Sequence, residues 1–322
     1  MRPLRLLLRY LWNALLAGVL FALLLLILLG GFGAVMLPMW ETAALQDNTQ
    51  DGNWAWAGEQ PVYYRTWGSA GNPTVVLVHG DLIEGSTIWE ANAPALASEG
   101  LYVVAIDLPG YGHSYRLTEP TATFRAHTGV LAQVLNQLGL DQATLVGHGS
   151  GAGVVMQLAH EQPQFVNGMV LISPAIETPS GPLWRLIMRQ PTIGRALAWM
   201  LQTGGPAWRS QRLSMVVDRN RFPDGYLESA LESAHVMGSA ESMRLVAISV
   251  PDDNLPEAIP ELRQHALILC GAEDQACDEA EALAERFADG RSRIVQSAGY
   301  LLQVDQPALV NSEILTLLGR RR

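Results

Sequence analysis

Five short apolar runs, each closed by a turn signal, constrain this chain more than anything else in it. "GNPTVVLVHG", "LYVVAIDLPG", "ATLVGHG", "NGMVLISP" and "HALILCGAED" are continuous in apolar residues instead of alternating, the pattern of strands buried on both faces. "PVYYRTWG" alternates and reads as an early strand. Helical stretches fall between these runs, at Thr121 to Leu138, Ser150 to Glu161 and Cys277 to Phe287. Strands alternating with helices imply an α/β fold with a mainly parallel sheet flanked by helices. From Leu183 to Asn254 the rhythm stops. Trp184, Trp199, Trp208 and several methionines recur there at helical spacing, broken by Pro191, "GGP" and "FPDG". The segment reads as short helices without a strand, a cap inserted into the sheet domain, whose large side chains pack it onto the core.

Ahead of the strands, no charged side chain occurs from Tyr10 to Trp40, and a helix of that length can cross a hydrocarbon layer of about 30 Å. Arg2, Arg5 and Arg9 precede it, while Glu41, Asp47, Asp51 and Glu59 follow with no arginine before Arg65. The positive-inside rule therefore puts the N-terminus in the cytoplasm and the main domain outside. Trp12 and Trp40 would suit the interfacial belts at the two ends. A cleaved signal peptide is the competing reading, but its apolar core runs to only about 7–15 residues. The expected division is a cytoplasmic segment 1–10, an anchor 11–39, a linker 40–53, a first core part 54–182, a cap 183–258 and a second core part 259–322.

A formal charge of −10 with no basic cluster outside the two ends argues against nucleic acid as a partner. All 21 basic residues are arginine, which removes Schiff bases, Ser-Lys dyads and phosphate-loop lysines. Cys270 and Cys277 have no second pair or spaced histidines beside them, so no metal site is expected. They either pair in an oxidising compartment or serve as a strand thiol and an unrelated loop thiol. No cofactor motif is present.

Five motifs in order then define a resemblance: "VHG" at Val78 to Gly80, "DLPGYGHS" at Asp107 to Ser114, "LVGHGSGAG" at Leu145 to Gly153, "GAED" at Gly271 to Asp274 and "SAGYLLQVDQP" at Ser297 to Pro307. From about Pro61 to Leu318 the chain resembles the α/β-hydrolase superfamily with an inserted cap. In that family the nucleophile stands in G-x-S-x-G on a strand-to-helix turn so tight that the residues two before and two after must be small. Aligning Gly147 and Gly151 with those places puts Gly149 at the nucleophile position. Making Ser150 the nucleophile would set His148 and Ala152 at the small positions, where an imidazole does not fit.

The resemblance implies a base at the loop reading Ala298, Gly299, Tyr300, where the family has histidine. A phenol with an ordinary pKa of about 10 is a poor base at neutral pH. Asp274 matches the family's acid, here a structural acceptor for Tyr300 or another donor. The oxyanion donors would be the backbone N–H groups of Asp81 and Ser150. A carboxylate on Asp81, with Glu84 nearby, would oppose an oxyanion unless both face water. His79 and His148 belong to the turns, His113 is an outside candidate in the "PGYGHS" loop, and His127, His160, His235 and His265 read as ordinary residues. The expectation is a membrane-anchored protein of this fold with a degenerate site, binding a small apolar ligand under the cap or a protein partner. The alternatives are an active esterase-like or lipase-like hydrolase using Ser150 or another nucleophile, and an accessory subunit of a membrane complex.

Overall fold

The computed structural model describes residues 2–45, 52–176, 181–205, 207–249, 255–274 and 277–319. Residues 46–51 of the expected acidic linker and the arginines at 320–322 lie outside these residues. Strands β1 (Asn53–Ala57), β2 (Gln60–Trp67), β3 (Thr74–Val78), β4 (Tyr102–Ile106), β5 (Ala143–His148), β6 (Val166–Ile172), β7 (His265–Gly271) and β8 (Gly290–Val295) form one sheet in the order β1-β2-β4-β3-β5-β6-β7-β8. β2 runs antiparallel to its neighbours β1 and β4, and every other pairing is parallel. The central strands are apolar throughout because helices bury both faces; all six residues of β5 are inaccessible.

The helices are α1 (Arg2–Trp40), α2 (Ala93–Ser98), α3 (Phe124–Gln137), α4 (Ser150–Glu161), α5 (Pro182–Met188), α6 (Pro191–Gln202), α7 (Trp208–Ser214), α8 (Tyr226–His235), α9 (Ser239–Ile248), α10 (Leu255–Ala258), α11 (Ala280–Glu285), α12 (Leu302–Asp305) and α13 (Pro307–Leu317). α3 begins three residues later than its apolar pattern because the Thr123 side chain accepts from the Ala126 N–H and caps it there. α11 also begins three residues late. Cys277 is tied by a disulfide to Cys270 at the end of β7, which holds that stretch out of helical geometry. The cysteines thus pair. Closing so short a loop in the unfolded chain corresponds to about 2 kcal/mol of stabilisation.

Between β6 and β7 the described elements are all helical, α5 to α10 with short 3₁₀ turns. One of them takes an unexpected partner. α1 is long and apolar enough over Arg9–Trp40 to cross a membrane, yet its last third packs on α6. The Cα of Gly30 faces Thr192 and Ile193, and a side chain on Gly33 would collide with Ala196. Leu37 is buried. Trp40 does not act as an interfacial belt residue: its Nε1 donates to the Thr203 carbonyl at 2.8 Å, and its ring stacks on His235 at 4.3 Å and meets Trp199 edge-on. Immediately beyond, Glu41 accepts from the N–H groups of Gly238 and Ala240 at the start of α9, where the helix dipole favours an anion.

Candidate functional site

The turn from β5 into α4 is as cramped as the glycine spacing requires. A Cβ on Gly147 would lie 2.6 Å from the Ala152 Cα, and one on Gly151 would overlap the His79 carbonyl. Between them Gly149 sits at the tip with φ 55° and ψ −125°, a conformation costing any other residue roughly 1–3 kcal/mol. Its N–H donates to the Ile172 carbonyl and its carbonyl accepts from Ala152 and Ala175, so the tip is fixed by the neighbouring strand. Ser150 follows as the first residue of α4 and points sideways.

The space above Gly149 is already filled. A Cβ there would overlap the hydroxyl of Tyr300. The loop carrying this phenol is held by the Asp305 carboxylate, which accepts from the Gly299 N–H at 2.8 Å. The Tyr300 carbonyl accepts from His148 Nε2 at 3.0 Å and from the Ser173 hydroxyl at 3.2 Å. Ser173 itself takes a positive φ of 45°. Burial first, then the charges of Asp81 and Asp274, push the Tyr300 phenol well above its ordinary pKa, so it stays neutral and is no base.

Asp81 does stay in the site. Its Oδ1 accepts from the Ser150 hydroxyl at 2.7 Å and from the Tyr111 hydroxyl at 2.6 Å. The backbone N–H groups of Asp81 and Ser150 make no hydrogen bond among the described residues, but any oxyanion they received would form beside this carboxylate and be repelled. Glu84 does not face water. It is buried and receives two hydrogen bonds from the Arg212 guanidinium on α7, at 2.8 and 3.1 Å, with the Tyr226 hydroxyl 3.4 Å away. Trp208, one turn before Arg212, is likewise buried. The cap is thereby latched to the loop after β3 by a bidentate ion pair from which water is excluded.

The histidines are committed elsewhere. His79 Nδ1 donates to the Gly80 carbonyl at 2.6 Å while Nε2 accepts from the Leu108 N–H at 2.9 Å, which fixes a neutral ring. His113 sits beside Asp107 and Tyr63, and the structure does not bring it to the Gly149 tip. Burial lowers His127 and His148 to a pKa of about 4 each. Their folded values lie below the unfolded value near 6.5, so the unfolded chain binds more protons between the two. Stability is therefore full above about pH 6.5 and falls as the pH drops toward 4. Denaturant titrations at pH 7 and pH 5 should differ by about 2 kcal/mol for each of these two histidines, and His127→Phe should remove its share.

Asp274 stands after β7, with the disulfide closing the loop that carries it. Together with Glu273, Gly299, Tyr300 and the cap residues Met215 to Val217 it lines a cavity of about 360 Å³. Two carboxylates at its rim make it less apolar than the sequence leads one to expect. Sequence reasoning had named Gly149, Ser150, Asp81, Asp274 and Tyr300, and the structure gathers all five around this turn. It missed Tyr111, Arg212 and Tyr226, of which only Tyr111 carried a signal, through its place in "PGYGHS".

Residues 73–201 match the family described as alpha/beta hydrolase fold. The strand order, the turn at Gly149 and the helices inserted after β6 agree with that match. The chain has the α/β-hydrolase fold. The chain is similar to the dihydrolipoyllysine-residue acetyltransferase component of the acetoin cleaving system of Pseudomonas putida, 28% identical over 80% of this chain and 66% of that protein. It is also similar to a 2-hydroxy-6-oxononadienedioate/2-hydroxy-6-oxononatrienedioate hydrolase of Burkholderia vietnamiensis, 25% identical over 81% of this chain and 92% of the relative. The chain spans two thirds or less of the length of several curated relatives it matches. In fold it resembles the 2-hydroxy-6-oxo-6-phenylhexa-2,4-dienoate hydrolase of Rhodococcus sp. strain RHA1, with a TM-score of 0.69 at 21% identity over 83% of this chain and 98% of that one.

Proposed function

We propose that this is a membrane-anchored α/β-hydrolase-fold protein whose site binds without hydrolysing. One observation carries the reading: the Tyr300 hydroxyl occupies the place above Gly149 that a nucleophile's side chain would need. With no nucleophile at the tip and a neutral phenol at the base position, the two groups whose loss costs a serine hydrolase on the order of a million-fold are both missing. The binding space is the cavity beside Tyr300 and Asp274. Its lining fits a small ligand with an apolar body against Met215 to Val217 and a donor or cationic group toward Glu273 and Asp274.

The anchor reading is supported by the packing of α1 on the cap, since a cut after the apolar run would strip the buried Leu37 and the half-buried Trp40 from their partners. In this reading the N-terminus is cytoplasmic and the domain outside, a setting that suits the Cys270–Cys277 disulfide. The hydrolase alternative keeps one specific support: Ser150 donates to the carboxylate of Asp81, which is exposed. An aspartate is far too weak a base to take a serine proton at neutral pH. The full-length protein is expected to give no labelling with a fluorophosphonate probe and no turnover of short-chain nitrophenyl esters above the Ser150→Ala variant. Labelling that disappears in Ser150→Ala would replace the binding reading with the hydrolytic one.

A further inference from the structure

α1 and α6 run side by side in the same direction: Gly30 meets Thr192 and Ile193, and Trp40 meets Trp199 and Thr203. The N-terminal end of α6 is therefore the end nearer the membrane. From Arg9 to Gly30 a helix rises about 31 Å, which matches a hydrocarbon layer of about 30 Å. Gly30 then lies where the helix leaves the hydrocarbon, and Trp40 stands about 15 Å further out. α5 ends immediately before α6 begins, so it lies at the membrane-facing tip of the cap.

α5 is built for that place. Leu183 and Leu186, one turn apart, are 68% and 60% exposed, while Met188 at the far end of the helix is buried against the cap. Arg185, between the leucines, and Arg189, one turn further on, have side chains long enough to reach headgroup phosphates while their stems stay in apolar surroundings. α5 thus presents exposed apolar residues beside the end of α6 that lies level with Gly30 of α1.

From this placement we infer that α5 lies in the outer interfacial layer of the bilayer, with Leu183 and Leu186 among the acyl chains and Arg185 and Arg189 at anionic headgroups. The partner is the lipid surface itself, and the inference rests on α1 being a membrane anchor. It places the α5 end of the cap against the membrane.

The test uses the full-length protein in phosphatidylcholine vesicles containing phosphatidylglycerol, with bimane attached to single introduced cysteines. Cys270 and Cys277 are paired and do not react. Gly18→Cys reports the anchor, Leu183→Cys and Leu186→Cys report α5, and Asp141→Cys reports the exposed turn before β5, at the end of the sheet away from the cap. Lipids carrying a nitroxide near the glycerol should quench the α5 labels and leave the Asp141→Cys label bright; nitroxides deep in the acyl chains should quench the Gly18→Cys label. Loss of emission at Gly18→Cys with none at either α5 position would overturn the inference and leave the anchor standing. No quenching at Gly18→Cys would overturn the anchor and the inference with it.

Discussion

Combining Gly149→Ser with Tyr300→His is expected to turn this protein into a fluorophosphonate-reactive esterase, with ester turnover about a thousandfold or more above the unaltered chain, given that a complete triad contributes up to a million-fold and that misplacement by an ångström costs about a hundredfold. The turn already has the backbone a nucleophile requires, with φ 55° at position 149 and small residues on either side. An imidazole at position 300 would stand between that tip and Asp274, whose charge is near enough to act on the present phenol. Gly149→Ser alone should stay unreactive, because the new side chain meets the Tyr300 hydroxyl, and should lose about 1–3 kcal/mol of stability from overpacking. Tyr300→His alone should stay unreactive for want of a nucleophile. Asp81 will hold the gain below that of a native hydrolase by repelling the oxyanion. A double variant that folds normally yet takes up no probe would show that more than two residues have been lost.

Glu84→Ala should cost about 3–5 kcal/mol in urea unfolding, the range for removing one member of a buried ion pair. The guanidinium of Arg212 is 2% exposed and would be left without its carboxylate. Replacing both members, as Glu84→Met with Arg212→Leu, should restore most of the loss, because apolar groups of similar volume fill such a site about as well. Because the pair bridges α7 and the loop after β3, hydrogen exchange in α7 and α8 should quicken in Glu84→Ala well before exchange in β5 changes. Equal protection in both would mean that the pair does not hold the cap.

The sheet was legible in the sequence because its strands are buried on both faces and therefore written as unbroken apolar runs, and the turn at Gly149 because its crowding leaves glycine as the residue that fits at positions 147 and 151. What escaped was whatever depended on distant side chains meeting. Glu84 and Arg212 are 128 residues apart, and nothing in either neighbourhood marks them as partners. That the phenol of Tyr300 covers Gly149 follows from how the loop after β8 is pinned by Asp305, a carboxylate with no pattern of its own. Trp40 looked like a membrane-belt residue because a tryptophan at the end of an apolar helix satisfies either role; its indole N–H on the Thr203 carbonyl decides for the cap. The cysteines could be spaced for a bridge or for nothing, and only the folded chain brings their sulfurs together.

The packing of α1 on α6 also redraws where the folded body of this protein starts. Leu37 is part of its interior, Gly33 is the contact that lets two helices touch, and Trp40 closes one side of Trp199. Trimming the chain at the edge of the apolar stretch, the natural choice for making it water-soluble, would carve a groove along α6 and strip His235 of the Trp40 ring stacked on it. The smallest self-sufficient piece therefore keeps the last ten or so residues of a helix that composition alone would discard as membrane.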